Sequence, residues 1–174
     1  MSKTTTDTPR VWMACLSCYN GGTMHGNWFG GDDTLEAEMA KLFEIKDGLA
    51  KCGGEEFVAH DFEGFGDYDL GEVSATQAAK VGAWIEEHGE VGLLALANFH
   101  GNFDDAEAAI GEYCGAFDSL AAYAEDFYEQ TGDLKSMGDL VRFVDWEAVG
   151  REWEMGGDIW TIEKDGEVHI FGNV

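Results

Sequence analysis

The chain has 174 residues, with 35 acidic against 10 basic for a net charge of -25, yet 45% of it is hydrophobic, including six Trp, five Tyr and eleven Phe. That aromatic content excludes an acidic disordered chain, which lacks core material, and the charge excludes nucleic acid and anionic membrane as partners because both repel it. No window approaches the ~20 apolar residues of a bilayer span, and Val11 to Leu16, behind the polar Met1 to Arg10, is too short for a signal-peptide core, so a soluble, cytoplasmic protein is expected.

Residues 10 to 19 (RVWMACLSCY) read as a β-strand closed by the turn signal Asn20-Gly21-Gly22, with 25 to 29 as its partner. Asp33 and Glu36 form a capping-box pattern ahead of a helix that buries Leu35, Met39, Leu42 and Phe43. After Gly53-Gly54, residues 56 to 62 read as a further strand. Ser74 with Gln77 caps a helix whose apolar face is Val81, Trp84 and Ile85, stopped by His88-Gly89. A short apolar helix from Val91 to Phe99 follows. Asn102 or Asp104 caps the next, carrying Ala108, Ala109 and Tyr113 with Ile110 on its flank. Asp118 or Ser119 opens another, faced by Leu120, Tyr123, Ala124, Phe127 and Tyr128 and stopped by Gly132. Asp145 caps a helix to about Trp153, and Asp165-Gly166 joins strands 159 to 163 and 167 to 171 as a type I′ hairpin. The class is α+β: a mixed N-terminal domain over 1 to 70, a helical middle domain over 71 to 101, and a mixed C-terminal domain over 102 to 174.

Enzyme signatures are lacking: there is no P-loop, no Gly-x-Gly-x-x-Gly, no His-Glu-x-x-His and no Gly-x-Ser-x-Gly. No catalytic residue and no cofactor are expected. Cys15, Cys18 and His25 can be weighed as a zinc set, but Cys52 and Cys114 do not repeat the Cys-x-x-Cys, so ordinary buried thiols at alternating strand positions are the reading taken. Asp61 to Glu72 (DFEGFGDYDLGE) counts as a calcium loop with Asp61, Glu63, Gly66, Asp69 and Glu72 in place. Phe65 stands where an oxygen ligand belongs, so a calcium-binding acidic module is the alternative reading and a solvated acidic loop the preferred one.

The basic residues are unevenly placed. All ten lie at or before Lys80 or at and beyond Lys135, while the span between carries twelve carboxylates. Eleven of these define a candidate binding surface: Glu86, Glu87, Glu90, Asp104, Asp105, Glu107, Glu112, Asp118, Glu125, Asp126 and Glu129. Glu86 and Glu90, and Glu125 and Glu129, are four apart, and Asp104 and Glu107 three apart, spacings that put like charges ~5–6 Å apart on one helix face at a mild cost. Ordinary solvated helices intersperse lysines; these omit them. Duplex DNA carries one charge per ~1.7 Å, so a net charge of -25 corresponds to roughly 40 Å of duplex, on the order of 12 base pairs. The charge suggests a body that stands in for DNA.

Several stretches resemble the ArdA-type antirestriction proteins. These are Val11 to Leu16 with Tyr19-Asn20 and Gly22; Gly26 and Trp28; His60-Asp61-Phe62-Glu63; Ser119-Leu120 with Tyr123-Ala124; and Val144-Asp145-Trp146-Glu147 with Gly150-Arg151-Glu152. Their order and spacing carry the resemblance from about Val11 to Phe171, and Cys15 and Cys18 are no part of the pattern. The resemblance implies an elongated chain of three small domains, a homodimer through the C-terminal domain, and carriage on mobile elements. It also implies carboxylates that imitate DNA phosphates in the groove of a type I restriction-modification enzyme, at its methyltransferase core, without any reaction.

Overall fold

The computed structural model describes residues 8–173. Within them the chain forms seven α-helices, a 3-10 helix and six strands in two three-stranded antiparallel sheets, an α+β fold with a helical middle stretch. It divides into two compact units, Met1–His100 and Gly101–Val174.

In the first unit β1 (Arg10–Cys15) is central, between β2 (Gly26–Gly30) and β3 (Phe57–Glu63). Val11, Met13 and Cys15, two apart, are fully buried, as a strand's alternation requires. The strand expected over 10 to 19 is shorter than that. The Cys15 amide takes the His25 carbonyl and the Leu16 amide takes the Glu56 carbonyl, the last step of the β1–β3 register. From there the chain turns into the one-turn helix α1 (Leu16–Asn20). The amides of Gly21 and Gly22 then close onto the carbonyls of Ser17 and Tyr19. Cys18 therefore lies on a helical turn, not a strand.

Helix α2 (Leu35–Leu42) starts after Thr34 with no side-chain cap, so the capping box expected at Asp33 does not form. The Asp32 carboxylate instead accepts from the amide and the hydroxyl of Thr34 at 2.8 and 2.6 Å. Leu35 and Phe43 are buried and Met39 partly so, but Leu42 is exposed, since so short a helix lays only one narrow edge on the core. Helix α3 (Ala75–Asn98) begins as its cap signal predicts, with Ser74 Oγ accepting from the Gln77 amide at 3.2 Å. Val81, Trp84 and Ile85 are buried beneath it. Gly82 permits its close approach to the sheet, for a Cβ there would stand 1.7 Å from the Gly31 carbonyl oxygen. Thr76 Oγ1 donates to Glu36, tying α3 to α2. Gly89 breaks the helical conformation (φ 61°, ψ -146°), and Trp84 Nε1 donates across the break to the Gly92 carbonyl at 2.8 Å.

In the second unit the elements are α4 (Phe103–Gly111), β4 (Tyr113–Phe117), α5 (Leu120–Thr131), α6 (Asp133–Met137), a 3-10 helix (Gly138–Phe143), α7 (Trp146–Gly156), β5 (Ile159–Lys164) and β6 (Glu167–Gly172). The sheet order is β4-β6-β5. Asn102, Ser119 and Asp145 cap α4, α5 and α7 with their side chains, and Gly132 and Gly157 end α5 and α7 at φ 82°. Asp165 and Gly166, both at positive φ, make the expected hairpin turn. Tyr113, expected on a helix, belongs to β4. The Gly172 amide takes the Glu112 carbonyl, and Tyr113 pairs with Phe171 and sets its hydroxyl 2.9 Å from His169 Nδ1. Ala106 and Ala109 are the buried face of α4, while Ala108 is exposed. Tyr123, Ile159 and Ile170 form the core with Phe117, Leu120, Trp153 and Val168. Burial pushes the Tyr123 phenol up to about 12. Gly150 lets α7 meet α5, since a Cβ there would sit 2.7 Å from the Leu120 carbonyl oxygen.

Candidate functional site

Of the eleven candidate carboxylates, Glu86, Glu87 and Glu90 lie in the first unit and the other eight in the second. Nine are exposed; Glu90 and Asp126 are half-buried. Glu86 and Glu87 sit at the end of the first segment of α3. Glu90 opens the segment beyond Gly89. The four-residue adjacency expected of Glu86 and Glu90 therefore fails, because the chain between them is not helical. Glu87 lies 3.9 Å from His88 Nε2.

On α4, Asp104 and Asp105 occupy the first turn, beside the cap. Asn102 Oδ1 accepts from both of their amides, and Asn102 Nδ2 donates to Asp105 Oδ2 at 2.5 Å. Asp104 and Glu107 are both exposed on this uninterrupted helix, so their three-residue adjacency holds. Glu125 and Glu129 are likewise both exposed on α5 at four-residue spacing, and Gln130 Nε2 donates to Asp126 Oδ2 at 2.5 Å. Glu112 and Asp118 flank β4 at its two ends. Asp118 lines a shallow surface depression with Glu163, Asp165, Glu167 and Lys164. The sequence pattern gave no reason to join those hairpin acids to Asp118, because Lys164 sits among them and only the pairing of β4 with β6 brings them near.

Placement along the helices separates two kinds of acid. Asp104 and Asp105 meet the positive end of a helix, where a carboxylate gains roughly 0.3–1 kcal/mol. Glu129 lies near the opposite end of α5, whose last turn holds no basic residue, so the same dipole opposes it. Glu125 and Glu129 add like-charge crowding on that face. A helix optimised for stability would carry lysine there. Lysine and arginine instead pair with other acids: Arg10 with Glu63 at 3.1 Å, Lys51 with Glu44 at 2.6 Å, Arg151 with Glu147 at 3.0 Å and Lys164 with Asp165 at 3.9 Å.

The segment Asp61 to Glu72 is arranged otherwise than a calcium loop. Asp61 and Glu63 belong to β3, Asp61 Oδ1 accepts from the Phe62 amide, and Glu63 pairs with Arg10. Asp69 Oδ1 accepts from the Gly71 amide at 2.8 Å and Glu72 lies 3.5 Å from His60 Nδ1. Phe65 is buried against Phe62. Among the described residues these carboxylates do not converge as a metal-ligand group.

Fold and surface together define a strongly acidic α+β protein with carboxylates on exposed helical turns as well as on its strands and loops. A family model described as antirestriction protein (ArdA) matches residues 11–167, and the chain belongs to that family. No curated protein and no solved structure matches the chain.

Proposed function

We propose that this antirestriction protein is a DNA mimic that enters the DNA-binding groove of a type I restriction-modification enzyme, at its methyltransferase core, and blocks it without catalysis. The observation that carries this reading is the span from Val81 to Leu134, which holds twelve carboxylates and no lysine or arginine, with its helical acids turned mostly to solvent. Acids kept where helix dipoles and like charges oppose them are retained for what they meet outside the molecule. A groove built for phosphates supplies the missing cations. The field of a -25 body also steers it toward such a groove, raising the association rate most at low salt.

The active form is proposed to be a cytoplasmic homodimer held through residues 133 to 174, within a three-part organisation of 1 to 70, 71 to 101 and 102 to 174. Leu140 and Phe143, exposed at 67 and 73%, support the first proposal: they are apolar material that a partner copy can cover. Dimerisation doubles the net charge available to imitate a longer duplex. The test is competition between this protein and duplex DNA for a purified type I methyltransferase. Displacement of DNA, with neither partner altered, is the expected result; inhibition that leaves DNA bound contradicts the proposal.

A further inference from the structure

Cys15, Cys18, His25 and Cys52 reach one point from four separate pieces of the first unit. Cys15 ends β1, Cys18 lies on α1, His25 precedes β2, and Cys52 sits on the loop between α2 and β3. One ligand atom from each falls within 4.8 Å of the others. Cys15 is buried, Cys18 and His25 are half-buried and Cys52 is exposed, so the group is held by the fold but open to an entering ion.

Two opposite edges of this group have the lengths of a coordination tetrahedron, and the other four are no longer than 4.8 Å. Bonds of about 2.3 Å to sulfur and about 2.0–2.1 Å to nitrogen, at tetrahedral angles, set S···S edges near ~3.8 Å and S···N edges near ~3.5–3.6 Å. Cys15 Sγ and Cys52 Sγ are 3.7 Å apart. Cys18 Sγ and His25 Nδ1 are 3.6 Å apart. These two edges share no corner, so together they span all four ligands. Thiols that only fill a core have no reason to meet both distances and to include an imidazole nitrogen.

The backbone is shaped around the same point. Gly53 (φ 82°) turns the loop, and a Cβ on Gly54 would stand 2.2 Å from Cys15 Sγ, so the loop brings Cys52 in only because glycine follows it. The Ala50 amide takes the Gly54 carbonyl at 2.9 Å and the Gly53 amide takes the Ala50 carbonyl at 2.8 Å, fixing that turn. The His25 ring stands edge-on to Phe43 at 5.0 Å, which holds Nδ1 toward Cys18.

We propose that Cys15, Cys18, His25 and Cys52 bind one zinc ion as a structural site that locks this corner of the sheet. Three thiolates and one imidazole select zinc over magnesium or calcium, which prefer oxygen. Four protein ligands close the tetrahedron and leave no position for a substrate, so the role is structural. Because the ligands come from β1, α1, the entry to β2 and the 51 to 54 loop, metal binding is coupled to folding of the first unit. Binding releases protons from the thiols, and no oxidant is involved.

The test uses the full chain, purified under reduction, refolded with zinc and separated from free ion by gel filtration. One zinc retained per chain is expected, released when the thiols are capped with a mercurial. Cys52→Ser and His25→Ala are expected to lose the retained zinc and melt at lower temperature, whereas Cys114→Ser, outside the cluster, keeps both. Cobalt(II) in the wild-type chain is expected to give the absorption of tetrahedral thiolate coordination, a readout that does not depend on any variant folding. Failure of the reduced wild-type chain to retain zinc overturns the proposal, as does an octahedral cobalt spectrum. Retention unchanged in both ligand variants, or a Cys15–Cys52 disulfide whose reduced form takes no metal, overturns it equally.

Discussion

The corner around Cys15 and the acidic helices are two ways of building a site on one chain. At the corner, four side chains from distant stretches meet within 4.8 Å, and the proposed zinc site needs each of them. On α3, α4 and α5 the carboxylates are spread over mostly exposed turns, and the proposed mimicry gives none a unique role. A concentrated site depends on tertiary packing and fails with one substitution. A dispersed electrostatic surface depends on local helix phase and fades gradually. The difference predicts opposite responses to mutation in the two regions.

The largest effect is expected where packing places an acidic helix. Gly82→Ala sets a methyl against the Gly31 carbonyl, and such overpacking costs about 3 kcal/mol or somewhat more. Urea unfolding of the full chain reads this; a loss below about 1 kcal/mol would show that α3 sits more loosely than described. Next comes the cap of α5. Ser119→Ala removes the acceptor of the Ala122 amide and should cost about 1 kcal/mol, within the ~0.5–2 found for caps. An unchanged denaturation midpoint would mean the helix start is frayed.

Smaller still is the effect of salt on stability. Like charges crowd the helical faces, and at ~0.15 M the screening length is about 8 Å, so the melting temperature is expected to rise from low to moderate sodium chloride. A flat or falling midpoint would mean the acids are already compensated within the molecule. Smallest is a single neutralisation on the acidic surface. Glu129→Gln should change affinity for the restriction enzyme by no more than the ~0–1 kcal/mol of one exposed ion pair. A large loss from this one change would make α5 a local site and remove the contrast with the corner.

The two regions also differ in how far they were legible in the sequence. Most local signals held: Ser74, Ser119 and Asp145 cap as their spacing indicates, Gly89 and Gly132 interrupt or end helices, and Asp165-Gly166 turns the hairpin, while the box at Asp33 does not form. The acids followed because helix phase alone exposes most of them. The strand Tyr113–Phe117 was hidden because its residues, Tyr, Cys, Gly, Ala and Phe, are apolar or small on both faces, so its alternating burial leaves no polar contrast. The helical turn after Cys15 was hidden for a related reason. Leu16 to Tyr19 continue a largely apolar run, and the bonds that close the turn run from the amides of Gly21 and Gly22 to the carbonyls of Ser17 and Tyr19, backbone contacts with no side-chain signal of their own. Cys52 could not be joined to Cys15 from sequence, since 37 residues separate them and the contact exists only once the sheet has formed.

The most direct test of the central claim compares wild type with the combined variant E86Q, E90Q, D104N, E107Q, E125Q and E129Q in binding to a purified type I methyltransferase across a salt series. The log of affinity is expected to fall with log salt for the wild type, as it does for DNA. The variant should bind more weakly at low salt and give a shallower slope, with its fold intact by circular dichroism. Equal affinity and equal slope for the two proteins would contradict the account.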